Sequence, residues 1–310
     1  MEKLTWKNIQ EHGIELWEAK KNEFIKAVTK DSDFSWILDG DKKLLYEKVK
    51  EKASINYGIP TQITGNPQIA RCFLCLFNPS VSEKNSKPNN QDNLKDYFKY
   101  VEDVVKGPNK MSTLKSMPII VNINENILNL ASGEYYYNHY FKGINNSKDI
   151  KGESLVKKPF DTETLAKAPI CNLELVPYRS RSTKGLKNVN FLKKSSTIQL
   201  TVEVIVRRIL DYWEGKTKKP YFFMRAVKKY EIAINSFLSK QKIVLYNVSI
   251  SSFQDLIDNK VGCGDGSCLF YELPQSGSIV NAGLRPLLKT EEINQQNQEY
   301  GEMIEALLEE

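Results

Sequence analysis

The alternation of apolar and polar stretches along the chain predicts four short buried strands. Apolar runs of strand length cover residues 70–77, 169–176, 220–224 and 242–246. A polar turn follows each run, as expected for a strand that is buried on both faces and ends at the surface. Segments with helical periodicity lie between runs, which indicates βαβ units. The predicted fold is therefore α/β, with a four-stranded, mainly parallel sheet flanked by helices.

The first 58 residues predict a helical extension packed on this core. Apolar residues recur there at helical spacing and include Ile14, Trp17, Phe24 and Val28. The polar triplets Asp31–Asp33 and Asp39–Asp41 are the expected breaks, giving two or three amphipathic helices.

Three further helices are predicted. Ser196 and Gln199 form a candidate capping box at the start of one, residues 227–240 form another, and the acidic tail from residue 290 forms the last. The predicted organisation is a helical extension at 1–58, an α/β domain at 59–288 with an irregular insertion at 81–168, and a C-terminal helix at 289–310.

The insertion contains an aromatic cluster, made of Tyr135, Tyr136, Tyr137, Tyr140 and Phe141. Aromatic faces stack on any nucleobase, so the cluster is a candidate base-stacking platform. The alternative is a segment that is half core and half surface.

Composition indicates a cytosolic protein. The 310 residues are 41% hydrophobic, enough for a large core. No apolar run approaches the roughly 18 residues of a membrane span, and no charged and apolar leader is present. The five cysteines show no regular framework, which favours reduced thiols.

Charge is concentrated in one block. Residues 179–229 contain 14 Lys and Arg against 3 Asp and Glu, whereas residues 230–310 contain 5 against 12. A basic block of this kind is typical of a face that meets a polyanion, although a solvated lysine-rich surface is the alternative.

The sequence lacks the residue patterns that several kinds of catalytic and metal-binding site require. The only histidines, His12 and His139, lie away from the predicted strand ends, which argues against metal sites and histidine-based triads. Cys72 and Cys75 would point to opposite faces of one strand. The segment from Cys263 to Cys268 is most simply a glycine turn, with a strained disulfide or half of a zinc site as the alternatives. Phosphate-binding glycine loops and nucleophile elbows are also missing, so no cofactor is expected.

The predicted strand ends carry neutral amides, one carboxylate, one guanidinium and hydroxyls. They are Asn78, Asn172 or Glu174, Arg225, Asn247, Ser249, Ser251 and Ser252. Such groups suit base recognition and the positioning of water better than strong acid–base catalysis.

Taken in order, four strand-end motifs resemble those of the uracil-DNA glycosylase superfamily, especially its mismatch-specific and single-strand-selective branches. The motifs are Asn78–Ser80, Leu173–Tyr178, Tyr221–Ala226 and Asn247–Ser252. The resemblance covers residues 60–255. It implies a monofunctional enzyme that hydrolyses the base–sugar bond of DNA without a metal, and a four-stranded parallel sheet between helices.

The resemblance also implies residue roles. Asn78 would hold the attacking water through its side-chain carbonyl, with an Asx turn before Pro79 as the alternative. Asn247 would contact the base carbonyl. Pro79 and Ser80 would line the base pocket, and Ser80 replaces the glycine usual in the family.

The implied DNA contacts come from basic residues and hydroxyls. Arg179, Arg181 and Lys184 would contact phosphates, and Arg225 would contact a phosphate or the base. Ser249, Ser251 and Ser252 would grip the backbone or, alternatively, form a capped turn.

The second strand leaves the base reader open. Glu174 stands where the single-strand-selective branch has its uracil-reading asparagine, but Asn172 would point to the same face. A carboxylate only accepts hydrogen bonds, so a reading Glu174 predicts a cytosine-type base, and removal of modified bases from phage DNA would follow. Alternatively, Glu174 forms an ion pair with Arg179 or Arg225.

The predicted partner is DNA, and the predicted protein is a cytoplasmic monomer without metal. One rival hypothesis is a nucleic-acid-binding protein that has the fold without the activity. Another is an enzyme that acts on free nucleosides.

Overall fold

The computed structural model of the protein describes residues 4–30, 32, 34–45, 60–79, 121–122, 128, 133–148, 152–154, 156, 160–180, 186–259, 261, 269–274, 277–279, 284–288 and 293–308. The fold is mixed α/β with a mainly helical N-terminal region, as the sequence predicts. Two compact units make up the chain. The first unit comprises Met1–Ile63, Phe77–Asn122 and Glu174–Val204, and the second comprises Thr64–Leu76, Ile123–Leu173 and Ile205–Glu310. The domain boundaries predicted from the sequence stay a prediction.

Helices and short strands alternate through the described residues. The helices are α1 (Trp6–Lys30), α2 (Asp39–Lys42), α3 (Gly133–Tyr136), α4 (Thr162–Lys167), α5 (Val189–Lys194), α6 (Ser196–Trp213), α7 (Val227–Gln241), α8 (Phe253–Ile257) and α9 (Ile293–Leu308). A π-helical turn (Tyr137–Phe141) and a 3-10 turn (Lys142–Asn146) continue α3. The strands are β1 (Ile63–Thr64), β2 (Cys72–Leu76), β3 (Val121–Asn122), β4 (Ile170–Glu174), β5 (Tyr221–Met224), β6 (Ile243–Leu245), β7 (Val248–Ile250), β8 (Phe270–Glu272) and β9 (Arg285–Pro286).

In the first unit, α1 buries one face, as its periodicity predicts. Trp17 and Phe24 are fully buried, and the Trp17 indole donates a hydrogen bond to Gln62 at 3.1 Å. Gly13 lies against Leu200, where a β-carbon would meet the leucine side chain at 3.5 Å. Ile14 was predicted to face the core, but it is 45% exposed.

The predicted break at Asp39–Asp41 is wrong, because these residues begin α2. Asp39 receives a 2.9 Å hydrogen bond from the Lys42 ammonium group, and the Leu38 carbonyl accepts from the Asp41 N–H at 2.9 Å. Acidic side chains are favourable in the first turn of a helix, so aspartates that interrupt a longer helix can still start a short one. The other expected break agrees with the end of α1 at Lys30, although Asp31 and Asp33 lie outside the described residues.

The second unit contains a sheet whose neighbouring strands follow the order β4-β2-β5-β8-β9. β2 pairs in parallel with β5, and β5 pairs in parallel with β8. β9 adds an antiparallel edge. Strands β2, β4 and β5 are buried along their whole length and lie within the predicted apolar runs. These three strand predictions are confirmed.

The predicted fourth strand is present, but its predicted place in the parallel sheet is wrong. Residues Ile243–Leu245 form β6, which pairs antiparallel with β7 in a separate two-stranded hairpin. The chain reverses at Tyr246 and Asn247, whose φ angles of 48° and 65° are left-handed and suit a two-residue hairpin turn. The parallel neighbour of β5 is β8 instead.

Both faces of this sheet are covered. On one face, Cys72, Leu74 and Phe223 belong to a core cluster that also contains residues of the π-helical turn, α4 and α9. On the other face, Phe73 stacks on Phe222 with ring centroids 4.7 Å apart. Strands that are covered on both faces are mostly apolar, so the polar groups of this sheet that can reach solvent lie at the strand ends.

The predicted helices are present with small shifts. Helix α6 begins at Ser196, but Ser195 caps it, because the Ser195 hydroxyl accepts from the Ile198 N–H at 3.3 Å. Helix α7 agrees with the prediction within a residue, and α9 confirms a helical tail. Each of these segments has the amphipathic period of a helix that packs on a sheet.

The aromatic cluster is half core and half surface, as one of the two alternatives expected. Tyr136, Tyr140 and Phe141 are buried, whereas Tyr135 is 50% exposed. Cys72 and Cys75 are buried free thiols, and Cys72 alone of the two belongs to the core cluster on its face, as the predicted opposite orientation requires. Cys263 and Cys268 lie outside the described residues.

Candidate functional site

Asn78 follows β2 and is held in a fixed orientation. Its side-chain nitrogen Nδ2 donates to the Ser180 hydroxyl and to the Pro79 carbonyl, both at 3.1 Å, and contacts the Tyr178 carbonyl at 3.5 Å. Because Nδ2 makes these contacts, the carbonyl oxygen Oδ1 lies on the opposite side of the amide group. The side chain is half buried. An oriented amide with its acceptor turned away from its anchors is suited to hold a water molecule.

The segments that follow β2 and β4 run side by side in the first unit. The Val176 N–H donates to the Phe77 carbonyl at 2.8 Å, and the Ser180 N–H donates to the Pro79 carbonyl at 3.3 Å. Two of the predicted strand ends are thus brought together. Ser80 lies outside the described residues.

A buried polar network supports the loop at Tyr178. The Tyr178 hydroxyl donates to the Asp41 carboxylate at 2.7 Å and accepts from the Leu38 N–H at 3.1 Å. The Thr197 hydroxyl donates to the same carboxylate oxygen at 2.9 Å. Helix α2 and the start of α6 therefore fix the loop that orients Asn78.

Burial controls the protonation of this network. It raises the pKa of the Tyr178 hydroxyl well above its ordinary value, and the charge of Asp41 raises it further. Burial also raises the pKa of Asp41, while hydrogen bonds from Tyr178, Ser195 and Thr197 oppose that rise. Tyr178 therefore stays protonated and donates to Asp41 across the neutral pH range.

Asn172 and Glu174 are both fully buried in β4. Alternate residues of a strand share a face, so the two side chains point to the same side of β4, as the sequence predicts. The Glu174 N–H donates to the Gln62 carbonyl at 2.8 Å, and the Thr201 hydroxyl donates to the Glu174 carbonyl at 2.9 Å. The main chain at Glu174 is thereby fixed within the first unit.

The basic block is not a uniform surface. Arg208 is 1% exposed and donates to main-chain carbonyls, and Arg207 pairs with Asp211 at 2.5 Å. Arg179 is half buried and donates to the Thr61 hydroxyl at 3.0 Å. Arg181 and Lys184 lie outside the described residues. Exposed cations of the first unit include Lys187, Lys193 and Lys194.

The structure places Asn247 at the exposed turn of the β6–β7 hairpin. Its predicted neighbours at a strand end, Ser251 and Ser252, are engaged at the start of α8. The Ser251 hydroxyl donates to Asp255 at 3.0 Å, and the Ser252 hydroxyl accepts from the Asp255 N–H in a capping box. This is the capped turn that was the alternative for these serines. Ser249 is exposed in β7.

Arg225 follows β5 and meets a histidine that the sequence did not predict to be near it. Its guanidinium nitrogen lies 3.3 Å from the His139 ring nitrogen Nε2, and its guanidinium carbon lies 5.9 Å from the Tyr140 ring centroid. Burial lowers the pKa of His139, and the positive charge of Arg225 lowers it further. The imidazole is therefore neutral at neutral pH.

The segment after β8 completes this cluster in the second unit. The Ile279 N–H donates to the Tyr140 carbonyl at 2.7 Å. A β-carbon on Gly277 would lie 2.5 Å from the Arg225 guanidinium and 2.6 Å from His139, and its φ of 85° also favours glycine. The sequence signal for this loop was a fifth, shorter apolar run that ends at a proline, Leu269–Pro274.

Two classes of site lack support in the described part of the chain. No group of three or more His, Cys, Asp or Glu residues lies close enough there to hold a metal ion. Among the described helices, none is both long and apolar enough to cross a membrane.

Comparison of the chain with models of protein families, with curated proteins and with solved structures found no match.

Proposed function

We propose that this protein is a DNA glycosylase that hydrolyses the base–sugar bond of an extruded nucleotide. The observation that carries the proposal is the orientation of Asn78, whose Nδ2 donates to the Pro79 and Ser180 oxygens. Its Oδ1 accepts a hydrogen bond from the attacking water and directs the water oxygen towards the sugar carbon. Parallel strands that end in polar segments support the proposal, because ligands of such sheets bind beyond the carboxyl ends of their strands.

The proposed reaction needs positioning more than strong acid–base catalysis. The base leaves the stack at a cost of a few kcal/mol, after which the water oxygen forms a bond to C1′ and the bond from C1′ to the base nitrogen breaks. The electron pair of that bond leaves with the base, which then takes up the proton lost by the water. A neutral amide suits this step because it orients water without removing its proton fully.

The proposed base is one that carries an amino group. Glu174 is fully buried in β4, and a carboxylate accepts hydrogen bonds from an exocyclic amine, as in cytosine. Asn172 is the second candidate reader because it lies on the same face of the strand. A carboxylate reader favours cytosine-derived bases, whereas an amide reader accepts uracil as well.

Product analysis tests this proposal. The full chain is incubated with duplex and single-stranded oligonucleotides that contain uracil, cytosine or modified cytosines, and abasic sites are detected by alkaline cleavage. The proposal predicts release of at least one modified base. DNA binding that weakens with salt, without release of any base, would instead indicate a binding protein.

A further inference from the structure

The second unit contains a small cavity at the aromatic segment, which is open to solvent and lined by two aromatic rings and two polar side chains. It has a volume of about 390 Å³, and its lining residues are Glu134, Tyr135, Asn138 and His139. Ligand pockets of proteins start at roughly 300 Å³, so the cavity has room for a nucleoside. All four residues come from α3 and the π-helical turn that follows it. Segments of π-helix are rare and frequently occur at functional sites.

One wall of the cavity is an aromatic pair. The rings of Tyr135 and His139 are nearly parallel, with an interplanar angle of 10° and centroids 5.3 Å apart. Tyr135 is 50% exposed, so part of its ring remains open to a ligand. A nucleobase of any kind can stack on an exposed ring face of this kind.

The contact with Arg225 determines which ring nitrogen of His139 carries the proton. A guanidinium only donates hydrogen bonds, so the His139 nitrogen that faces Arg225 at 3.3 Å accepts, and Nδ1 carries the ring proton. The lowered pKa of His139 keeps the ring neutral, so this assignment holds at neutral pH. Gly277 packs directly on both groups and holds the pair in place.

The cavity therefore offers a defined set of hydrogen-bonding groups. Glu134 only accepts, His139 donates through Nδ1, and Asn138 does both. An amino group beside a ring acceptor complements this set, as in cytosine or guanine, whereas uracil and thymine have no amino group. A phosphate would meet the negative charge of Glu134.

We propose that this cavity binds an amino-bearing nucleobase, stacked on Tyr135 and hydrogen-bonded to Glu134 and His139. The inference does not depend on the proposed glycosylase activity, because it concerns an equilibrium with free nucleosides. Binding can therefore be present when base release is absent, and the reverse also holds.

Calorimetric titration of the full chain with nucleosides tests the inference. 2′-Deoxycytidine and 2′-deoxyguanosine should bind about tenfold more tightly than 2′-deoxyuridine, because deoxyuridine has no amino group that could donate a hydrogen bond to the Glu134 carboxylate. Equal binding of deoxyuridine would overturn the inference. So would the lack of any binding up to the solubility limit of the nucleosides.

Matched variants locate the binding. Tyr135→Ala should weaken deoxycytidine binding about tenfold, whereas Tyr246→Ala, which removes an exposed tyrosine of the hairpin, should leave it unchanged. Glu134→Gln should remove the preference for amino-bearing bases, and Glu231→Gln on α7 is its control. Because Glu134, Tyr135, Glu231 and Tyr246 are exposed, these variants should fold. Unchanged binding by Tyr135→Ala and Glu134→Gln would contradict the assignment to this cavity.

Discussion

Two asparagines of this protein follow apolar strands, and their surroundings differ. Asn78 follows the buried strand β2, and its amide nitrogen is held by oxygens of Pro79, Tyr178 and Ser180. Asn247 follows β6, is exposed and occupies the second position of a tight hairpin turn. In the sequence both look alike, as the polar end of a strand.

The difference shows what fixes a polar side chain at a strand end. The segment after β4 runs beside Asn78 and supplies acceptors for its amide group. The β6–β7 hairpin closes on itself, so the left-handed backbone of Asn247 satisfies the turn and needs no distant group. An asparagine is therefore positioned for chemistry only where a second segment of the chain fixes it.

The largest expected effect on stability comes from removing the support of the anchored loop. Asp41→Ala leaves the buried Tyr178 and Thr197 hydroxyls without their shared acceptor, so we expect a loss of about 2–4 kcal/mol in the free energy of unfolding. Urea unfolding followed by tryptophan fluorescence measures it. Asp258→Ala, at the exposed end of α8, should cost less than about 0.5 kcal/mol.

Asp41→Asn is the matched variant, because it keeps an oxygen that accepts from both hydroxyls. Its cost should be clearly smaller than that of Asp41→Ala. If Asp41→Ala proved as mild as Asp258→Ala, the supporting role of the network would be refuted.

A smaller effect is expected on catalysis when one anchor of Asn78 is removed. Ser180→Ala deletes a 3.1 Å hydrogen bond to Nδ2, and about 1 kcal/mol of lost orientation lowers the rate of base release roughly fivefold to tenfold. KM should stay unchanged, because Ser180 acts through Asn78. Ser180→Thr should restore the rate, and Ser239→Ala on the exposed surface of α7 should have no effect. A change in KM alone would contradict this role.

In the β6–β7 hairpin, we expect a substitution of Asn247 to raise the stability of the protein. Asn247→Gly removes a side chain from a position with φ of 65°, so a stabilisation of up to about 0.5 kcal/mol is expected. Thermal unfolding detects it as a small rise in Tm. Destabilisation would mean that the Asn247 side chain makes a contact that the hairpin does not require.

A third strand end, that of β5, predicts a pH effect. The pKa of His139 lies below its ordinary value of 6.5 in the folded protein, because of burial and then of Arg225. His139 has a lower pKa in the folded protein than in the unfolded chain, so between these two pKa values the unfolded chain binds more protons. The free energy of unfolding therefore falls as the pH decreases from about 7.5 to 5.5. His139→Gln should reduce that fall, as measured by urea unfolding at both pH values. An identical fall in the variant would show that His139 is not responsible.

The sequence was most informative where strands are buried on both faces. Strands β2, β4 and β5 lie within predicted runs because burial requires continuous apolar residues. Residues 242–246 form a similar run, but a run of this length is also compatible with an exposed hairpin, and the left-handed turn at Tyr246 and Asn247 decided between them. The three residues of β8 were too short to stand out.

In the candidate sites, only the features that depend on local sequence could be predicted. Asn78 was identified because a proline turn follows an apolar run. His139 was set aside because it lies away from the predicted strand ends, and its contact with Arg225 joins two segments that are distant in sequence. Charge counts likewise gave no indication that Arg207 forms an ion pair with Asp211 and that Arg208 donates hydrogen bonds to main-chain carbonyls. Contacts between segments distant in sequence leave no periodic signal.

Single-turnover base release by Asn78→Ala tests the central claim most directly. The rate is measured on the oligonucleotide from which the wild-type protein releases a base, with Asn247→Ala as the matched control. Loss of the residue that positions the water should lower the rate by about 100-fold or more, whereas Asn247→Ala should change it by less than about threefold. Equal rates for Asn78→Ala and the wild-type protein would contradict the assignment of Asn78.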